Sequence, residues 1–461
     1  MTSWYPDPSA LRRPAYLSLA DQIARAIADG RLGGGARLPT HRRLAEDLDL
    51  SVQTVSRAYE ELIRRGLVAG EIGRGTFVRA PRREPDPPYI PERLGEVIDL
   101  SILKPVCAPL HLDRMRQALV HLAETLPPNT VLSFRPNAVL ARHRVVGLEW
   151  LKACGIETAA GNVSLTNGAT AAMTTALMTV TPPGSTLVTE EIGHHTLVPL
   201  AAYLGLKLKG LPIDEEGILP DALDRACRQG DVKALFIQPT VVNPTATLTG
   251  SARRADIVEI ARRRDIAIIE NDVLGPLVKD RPQPIAALAP ERTLYVTSFT
   301  KIVLPGLRIG YLVVPDRLVS AVANRHLVTN WMATPLIAEL ATRWVENGTA
   351  MELVRWQRAA LHRRHRIAAE MLRGIEHLTH PESLHIWLPL GEGRSEQAFV
   401  SHVRLQGVAI APGASFATSP SVRHSAVRIS VGSTTADDLC TGLGIVTNLL
   451  RSDPEPVLLA I

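Results

Sequence analysis

At 461 residues the chain is too long for one ordinary hydrophobic core, so two or three domains are expected. It is 46% hydrophobic and 21% charged, the balance of a soluble protein, and it lacks both a leader-like hydrophobic start and any uninterrupted apolar run of about 18 residues, so no membrane span is expected. A net charge of +5 is compatible with a nucleic-acid partner without pointing to one, and the four scattered cysteines (Cys107, Cys154, Cys227, Cys440), with no CxxC, read as reduced, mostly buried thiols of a cytoplasmic protein holding neither metal nor disulfide.

Leu17 to Asp29 places apolar residues at 19, 23, 24, 27 and 28, the spacing of a helix, and Gly30 stops it. Thr40 is a candidate N-cap for a short helix from His41 to Asp47, and Ser51 for a third from Val52 to Gly66, with Val55, Tyr59, Leu62 and Ile63 as its apolar face. Two short strands, Leu67 to Ala69 and Thr76 to Val78, follow around Glu71-Ile-Gly-Arg-Gly75. That order is a winged helix-turn-helix, whose third helix enters the major groove of double-stranded operator DNA. Ser51, Gln53, Thr54 and Arg57 on its first turns, Arg42 and Arg43 opening the second helix, and Arg74 and Thr76 at the wing tip are the candidate DNA contacts. Residues 1–80 hold 12 arginines against 9 acids, so the arrangement carries the assignment and bulk charge does not. The run LPTHRRLAEDLDLSVQTVSRAYEELIRRGLVAGEIGRGTFV resembles the GntR-type DNA-binding domain, which sets a first domain at 12–80. Residues 81–98 then form a Pro-rich linker, with five prolines between Ala80 and Pro91.

From about Asp99 to the end, apolar strand-like runs alternate with helical patterns, the signature of an α/β body with a largely parallel sheet. Expected strands are Val163–Thr166, Thr186–Thr189, Ala234–Ile237, Ala267–Glu270, Thr293–Thr297 and Gly310–Val314; helices between them include Ala169–Met178, Leu197–Leu204 and Arg253–Arg264. Ligands of such sheets bind beyond the carboxyl ends of the strands. Four motifs fall there in order. Asn167-Gly168-Ala169-Thr170 opens a helix whose N–H groups suit a phosphate. Asn243-Pro244-Thr245 carries a side-chain amide able to bond a phenolic oxygen. Glu270-Asn271-Asp272 offers carboxylates at a strand end. Ser298-Phe-Thr300-Lys301, with Arg308 seven residues after the lysine, combines an amine for a Schiff base with hydroxyls and a guanidinium for a phosphate.

The lysine stretch resembles the pyridoxal-phosphate (PLP) motif of fold-type I aminotransferases. Winged helix, linker and body together resemble the MocR subfamily of GntR regulators over nearly the whole chain. The resemblance implies an α/β/α body with a smaller C-terminal α/β subdomain over 99–461. It implies PLP bound at Lys301, with Ala169, Thr170, Ser298, Thr300 and Arg308 on the phosphate, Asn243 on the ring oxygen and His194 stacked on the ring. It implies Arg428 in Ala426-Val-Arg428-Ile-Ser-Val on a substrate or effector carboxylate, and a head-to-tail homodimer. Several positions depart from the aminotransferase pattern. The residue facing the pyridine nitrogen falls on Asn271 rather than Asp; Asp272 is adjacent on the other strand face and is a candidate for the cofactor nitrogen only if a bulge or turn re-aims it. Leu274 and Phe134 stand where tyrosines are expected, Val139 where a glycine is, and Ala246 replaces the glycine of Pro-Thr-Gly. The reading is a cytoplasmic, PLP-dependent transcription regulator that senses an amino compound or PLP itself, with weak or absent transaminase turnover. A working aminotransferase with an auxiliary DNA-binding domain is the alternative, and a cofactor-free dimerisation body the third. His362 and His365 read as a solvated basic helix face without an accompanying carboxylate, and Trp331 and Trp344 as core or interface residues.

Overall fold

A computed structural model describes residues 4–71, 75–78, 97–391, 393–422 and 424–452, and of Glu71, Asn137 and Ala138 the backbone only. The chain divides into two compact units, Met1–Glu92 and Arg93–Ile461. Arg74 and the linker as far as residue 96 lie outside the described residues.

In the first unit α1 (Ala15–Ala28), α2 (His41–Leu48) and α3 (Val52–Arg64) precede an antiparallel pair, β1 (Val68–Glu71) and β2 (Gly75–Val78). Both caps read from the sequence form: Thr40 Oγ1 accepts from the Arg43 N–H at 3.3 Å and Ser51 Oγ from the Thr54 N–H at 3.1 Å. Leu19, Ile23, Leu44, Val55, Tyr59, Leu62 and Val78 close one small core. Ile63, expected on the apolar face of α3, is instead 45% exposed, because Val55, Tyr59 and Leu62 already fill the stripe against α1.

The second unit is built on a seven-stranded sheet. Its strands are β4 (Val163–Thr166), β5 (Thr186–Glu190), β6 (Lys207–Leu211), β7 (Val232–Ile237), β8 (Ala267–Asn271), β9 (Thr293–Ser298) and β10 (Gly310–Val313). Their spatial order is β4-β10-β9-β8-β7-β5-β6, parallel except for β10, which runs against both neighbours. All six expected strands form; the edge strand β6 is additional. Helix α4 (Ala169–Val180) covers one face, packing Ala172, Met173 and Leu177 on Phe236, Ile269, Leu294 and Val296. Helix α5 (Ser251–Arg263) covers the other, packing Ile257 and Ala261 on Leu235, Ile237 and Ile268.

A smaller sheet follows, of β11 (Leu378–Thr379), β12 (His385–Pro389), β14 (Ala411–Pro412) and β15 (Ala426–Ser430), in the order β11-β12-β15-β14. Between them in sequence β13 (Val408–Ala409) pairs in parallel with β3 (Ile98–Asp99), so Ile98, assigned to the linker by sequence, already belongs to the body. Two further expectations are corrected. Cys107 and Cys440 are exposed, leaving Cys154 as the fully buried thiol. His365 is buried and bonded to the Ser383 carbonyl at 2.8 Å, while His362 meets Glu382 at 3.7 Å, a carboxylate the fold brings from a later loop. Trp344 is core, and Trp331, 42% exposed, keeps only the interface half of its reading. Among the described residues no His, Cys, Asp and Glu cluster suits a metal, and no helix is long and apolar enough to cross a membrane.

Candidate cofactor and effector site

The carboxyl ends of β4, β5, β7, β8 and β9 meet along one edge of the large sheet, and the four motifs taken in order above leave the sheet there. Alternation decides what each strand end offers. Ile269 and Val296 face α4, so Asn271 and Ser298, two residues on, share that face. Ile268 faces α5, so Glu270 and Asp272 lie behind the sheet.

At the start of α4, Gly168 adopts φ +83°, and a Cβ placed there would lie 2.9 Å from Arg308 Nη2. Arg308 itself is left-handed (φ +40°), which swings its guanidinium over this glycine and within 3.4 Å of Thr300 Oγ1. The Thr300 N–H donates to Ser298 Oγ at 3.1 Å. Ser298, Thr300, Arg308 and the first-turn N–H groups of Ala169 and Thr170 thus converge on one spot, the donor set of an anion cradle.

Lys301 lies beside it, its ammonium donating to the Leu103 carbonyl. Burial, with Arg428 and Arg308 nearby, lowers its pKa from 10.5 to about 8. Arg428 on β15 is 2% exposed. Its Nη1 donates to Asn243 Oδ1 at 2.8 Å, its Nη2 to the Ser101 carbonyl, and its guanidinium stands 4.8 Å from the Phe416 ring centroid. Asn243, followed by a cis peptide to Pro244, therefore spends its carbonyl on Arg428 and keeps its amide N–H groups as donors. His194 is half-buried, bonded to Thr196 at 2.9 Å and stacked in parallel on His195 at 5.3 Å. Burial first, then the neighbouring His195, Lys301 and Arg428 charges, push its pKa down to about 3, so its ring is neutral at physiological pH. His195 is likewise lowered to about 4, by burial and then by Arg428 and Lys301.

Asn271 is 3% exposed, and neither amide atom has a partner. Such a group costs about 1–3 kcal/mol unless something satisfies it. Asp272 does not take its place: it accepts from Arg281 at 2.5 Å and from the Tyr295 hydroxyl at 2.7 Å, fully buried on the opposite face. Leu274, where a tyrosine is expected, is buried in the main core. Ala246 holds φ +60°, the conformation a glycine would adopt there without the roughly 1–2 kcal/mol an L-residue incurs. Phe134 is 71% exposed and stacks on Trp331 at 4.9 Å.

Two contributors escaped the sequence reading. Arg254 on α5 is fully buried and donates to the Thr249, Pro239 and Gln283 carbonyls and to Thr240 Oγ1, clamping the loop that presents Asn243. His385 on β12 bonds the Val242 carbonyl at 3.1 Å and ties the small sheet to the same loop. Neither lies in a motif; each acts through contacts far from it in sequence.

In the first unit Arg42, Arg43, Ser51, Gln53 and Arg57 are exposed and Thr54 half-buried. Arg43 pairs with Asp47 at 3.2 Å, and the Arg57 guanidinium lies 4.1 Å from the Tyr16 ring centroid. Ser51 and Thr54 are engaged in the cap of α3. Thr76, half-buried on β2, accepts the Leu38 N–H at its carbonyl.

Comparison with known proteins agrees with this architecture. Residues 139–443 match the family model "Aminotransferase class I and II", and residues 15–78 match "Bacterial regulatory proteins, gntR family". The HTH-type transcriptional regulator YdeF of Bacillus subtilis is 26% identical over 97% of both chains. The HTH-type pyridoxine biosynthesis transcriptional regulator PdxR of Corynebacterium glutamicum is 28% identical over 64% of this chain and 65% of its own. A kynurenine aminotransferase structure from Pyrococcus horikoshii superimposes with a TM-score of 0.71 at 21% identity, over 77% of this chain and 91% of that one. The chain belongs to the class I and II aminotransferase family and, with its gntR-family head, to the MocR-type regulators that join the two.

Proposed function

We propose that the protein is a PLP-dependent DNA-binding transcription regulator of the cytoplasm, with a head at 12–80, a linker that ends before Ile98 and a sensing body from Ile98 onward. The observation that carries this reading is Lys301: a partly buried amine with a lowered pKa, set beside an anion cradle, in a chain with a gntR head. The donor set fits PLP, since the cradle suits a phosphate, and the neutral His194 ring and the unpartnered Asn271 amide suit an aromatic nitrogen heterocycle. PLP, when bound, supplies an aldehyde that condenses reversibly with amines. Ser298, Thr300, Arg308 and the Ala169 and Thr170 N–H groups hold the phosphate; His194 covers the ring, Asn243 bonds its oxygen and Asn271 its nitrogen. Arg428 receives the carboxylate of an amino-compound effector.

A working transaminase is the second reading. Asn271 argues against it, because an amide supplies no countercharge to keep a ring nitrogen protonated, and Asp272 is held by Arg281 and Tyr295. A homodimer, head-to-tail as in the family resembled, is supported by the exposed apolar Leu132, Phe134, Val328 and Trp331. The test uses the full chain. Borohydride treatment with PLP should add the reduced cofactor's mass to Lys301 and not to Lys301→Ala, and binding to DNA from upstream of its own gene should change with PLP and amines. Unlabelled Lys301, or no binding to that DNA, sinks the proposal.

A further inference from the structure

The first described stretch of the body is wired to both ligand-binding cations. Ile98 and Leu100 donate their N–H groups to the Gly407 and Ala409 carbonyls at 2.8 Å. The Ser430 N–H returns to the Leu100 carbonyl at 2.8 Å, and Ser433 Oγ donates to the Asp99 carbonyl at 2.6 Å. Asp99 Oδ1 accepts from the Ser101 N–H at 2.8 Å and the Ser101 hydroxyl at 2.6 Å, a turn that fixes where the next carbonyls point. Those carbonyls meet the site: Ser101 O accepts from Arg428, and Leu103 O from Lys301. In sequence this stretch directly follows the Pro-rich segment that leads to the DNA-binding head.

Resting on the reading above, we propose that Ser101–Leu103 is a ligand-displaced latch, whose main-chain carbonyls hold the two donors that the cofactor and the effector carboxylate must take. Condensation of the neutral Lys301 amine with an aldehyde joins nitrogen to carbon and releases the aldehyde oxygen with both amine hydrogens as water. The ammonium that held Leu103 O is then gone. A carboxylate on Arg428 claims the guanidinium edge that held Ser101 O. Each ligand therefore competes with one half of the latch, and by linkage the latch weakens as the site fills. The chain start of the body is freed at the point where the tether to the head is attached. This gives chemistry at Lys301 a covalent route toward the head that does not depend on movement of the whole body.

The test is hydrogen exchange on the full chain, ligand-free, loaded with PLP, and loaded with PLP plus L-alanine as the amino-carboxylate probe. Peptides covering 98–106 should exchange at least about fivefold faster on loading with PLP while β8 does not accelerate; with alanine, whose amine takes the aldehyde and releases Lys301 while its carboxylate holds Arg428, the part around Ser101 should stay faster than in the ligand-free chain. Asp99→Ala and the milder Ser433→Ala loosen the latch without touching Lys301 or Arg428. Each should bind PLP about three- to tenfold more tightly, the scale of one lost hydrogen bond; a merely structural role would weaken binding. Labelled Lys301 with unchanged or slower exchange at 98–106, or weaker PLP binding in a folded variant, overturns the latch alone. An unlabelled Lys301 overturns the PLP reading and the latch with it.

Discussion

The pH dependence of aldehyde capture by Lys301 tests the site most directly. The attacking species is the neutral amine. Burial and the Arg428 and Arg308 charges disfavour the ammonium and bring the pKa down from 10.5 to about 8. Because a base with a lowered pKa loses its proton earlier, the reactive form appears below the usual range. At pH 7 a group of pKa 8 is about 9% neutral against about 0.03% for an ordinary lysine, an advantage of roughly 300-fold. The capture rate at fixed PLP, trapped with borohydride and read by intact mass, should rise about tenfold per pH unit to pH 7 and level off above pH 8. Arg428→Gln removes one of the two cationic neighbours, so the midpoint should move upward and capture at pH 7 should slow. A rate that keeps climbing tenfold per unit to pH 10, in the wild type, would refute the argument that this lysine is electrostatically primed.

Asn271→Asp places a carboxylate on the α4 face of the sheet, where the amide now lacks a partner. With L-alanine it should convert bound cofactor to its amine form about a hundredfold faster than the wild type in a single-turnover absorbance assay, the low end of a general acid–base contribution; an unchanged rate removes Asn271 from the ring nitrogen. Arg281→Ala leaves the fully buried Asp272 without its cation and should cost about 3–5 kcal/mol in urea unfolding of the body. A cost under about 1 kcal/mol would mean that water reaches the pair. Arg42→Ala at the start of α2 should reduce the salt dependence of DNA binding by about one unit of log–log slope, weakening all sequences alike; a sequence-selective loss would make it a base contact instead.

What was legible in the sequence was local. Thr40 and Ser51 declare helix starts because a cap bonds three residues downstream. The Ser298–Arg308 stretch was legible for the same reason: the lysine, hydroxyls and guanidinium that converge are near neighbours in sequence. Strand β6 was missed because its Lys207-Leu-Lys-Gly-Leu pattern lies at the sheet edge with its lysines in solvent, and so lacks the continuous apolar run of the central strands. The pairing of Ile98 with Val408, and the burial of Arg428 against Ser101, join parts of the chain more than 300 residues apart, which no local pattern encodes. Asp272 shows the intermediate case. Alternation along the strand gave its direction, but the partners that hold it, Arg281 and Tyr295, come from later segments.

Arg254 has a consequence for how such a protein can diversify. It sits behind the sheet, sealed from any ligand, yet its four bonds shape the loop that presents Asn243, and Asn243 in turn steadies Arg428. The response of the pocket can therefore be retuned from its back wall. On the proposed sensing reading, selections for an altered effector should recover substitutions around α5 and the 239–249 loop that never meet the effector, alongside changes in the pocket itself.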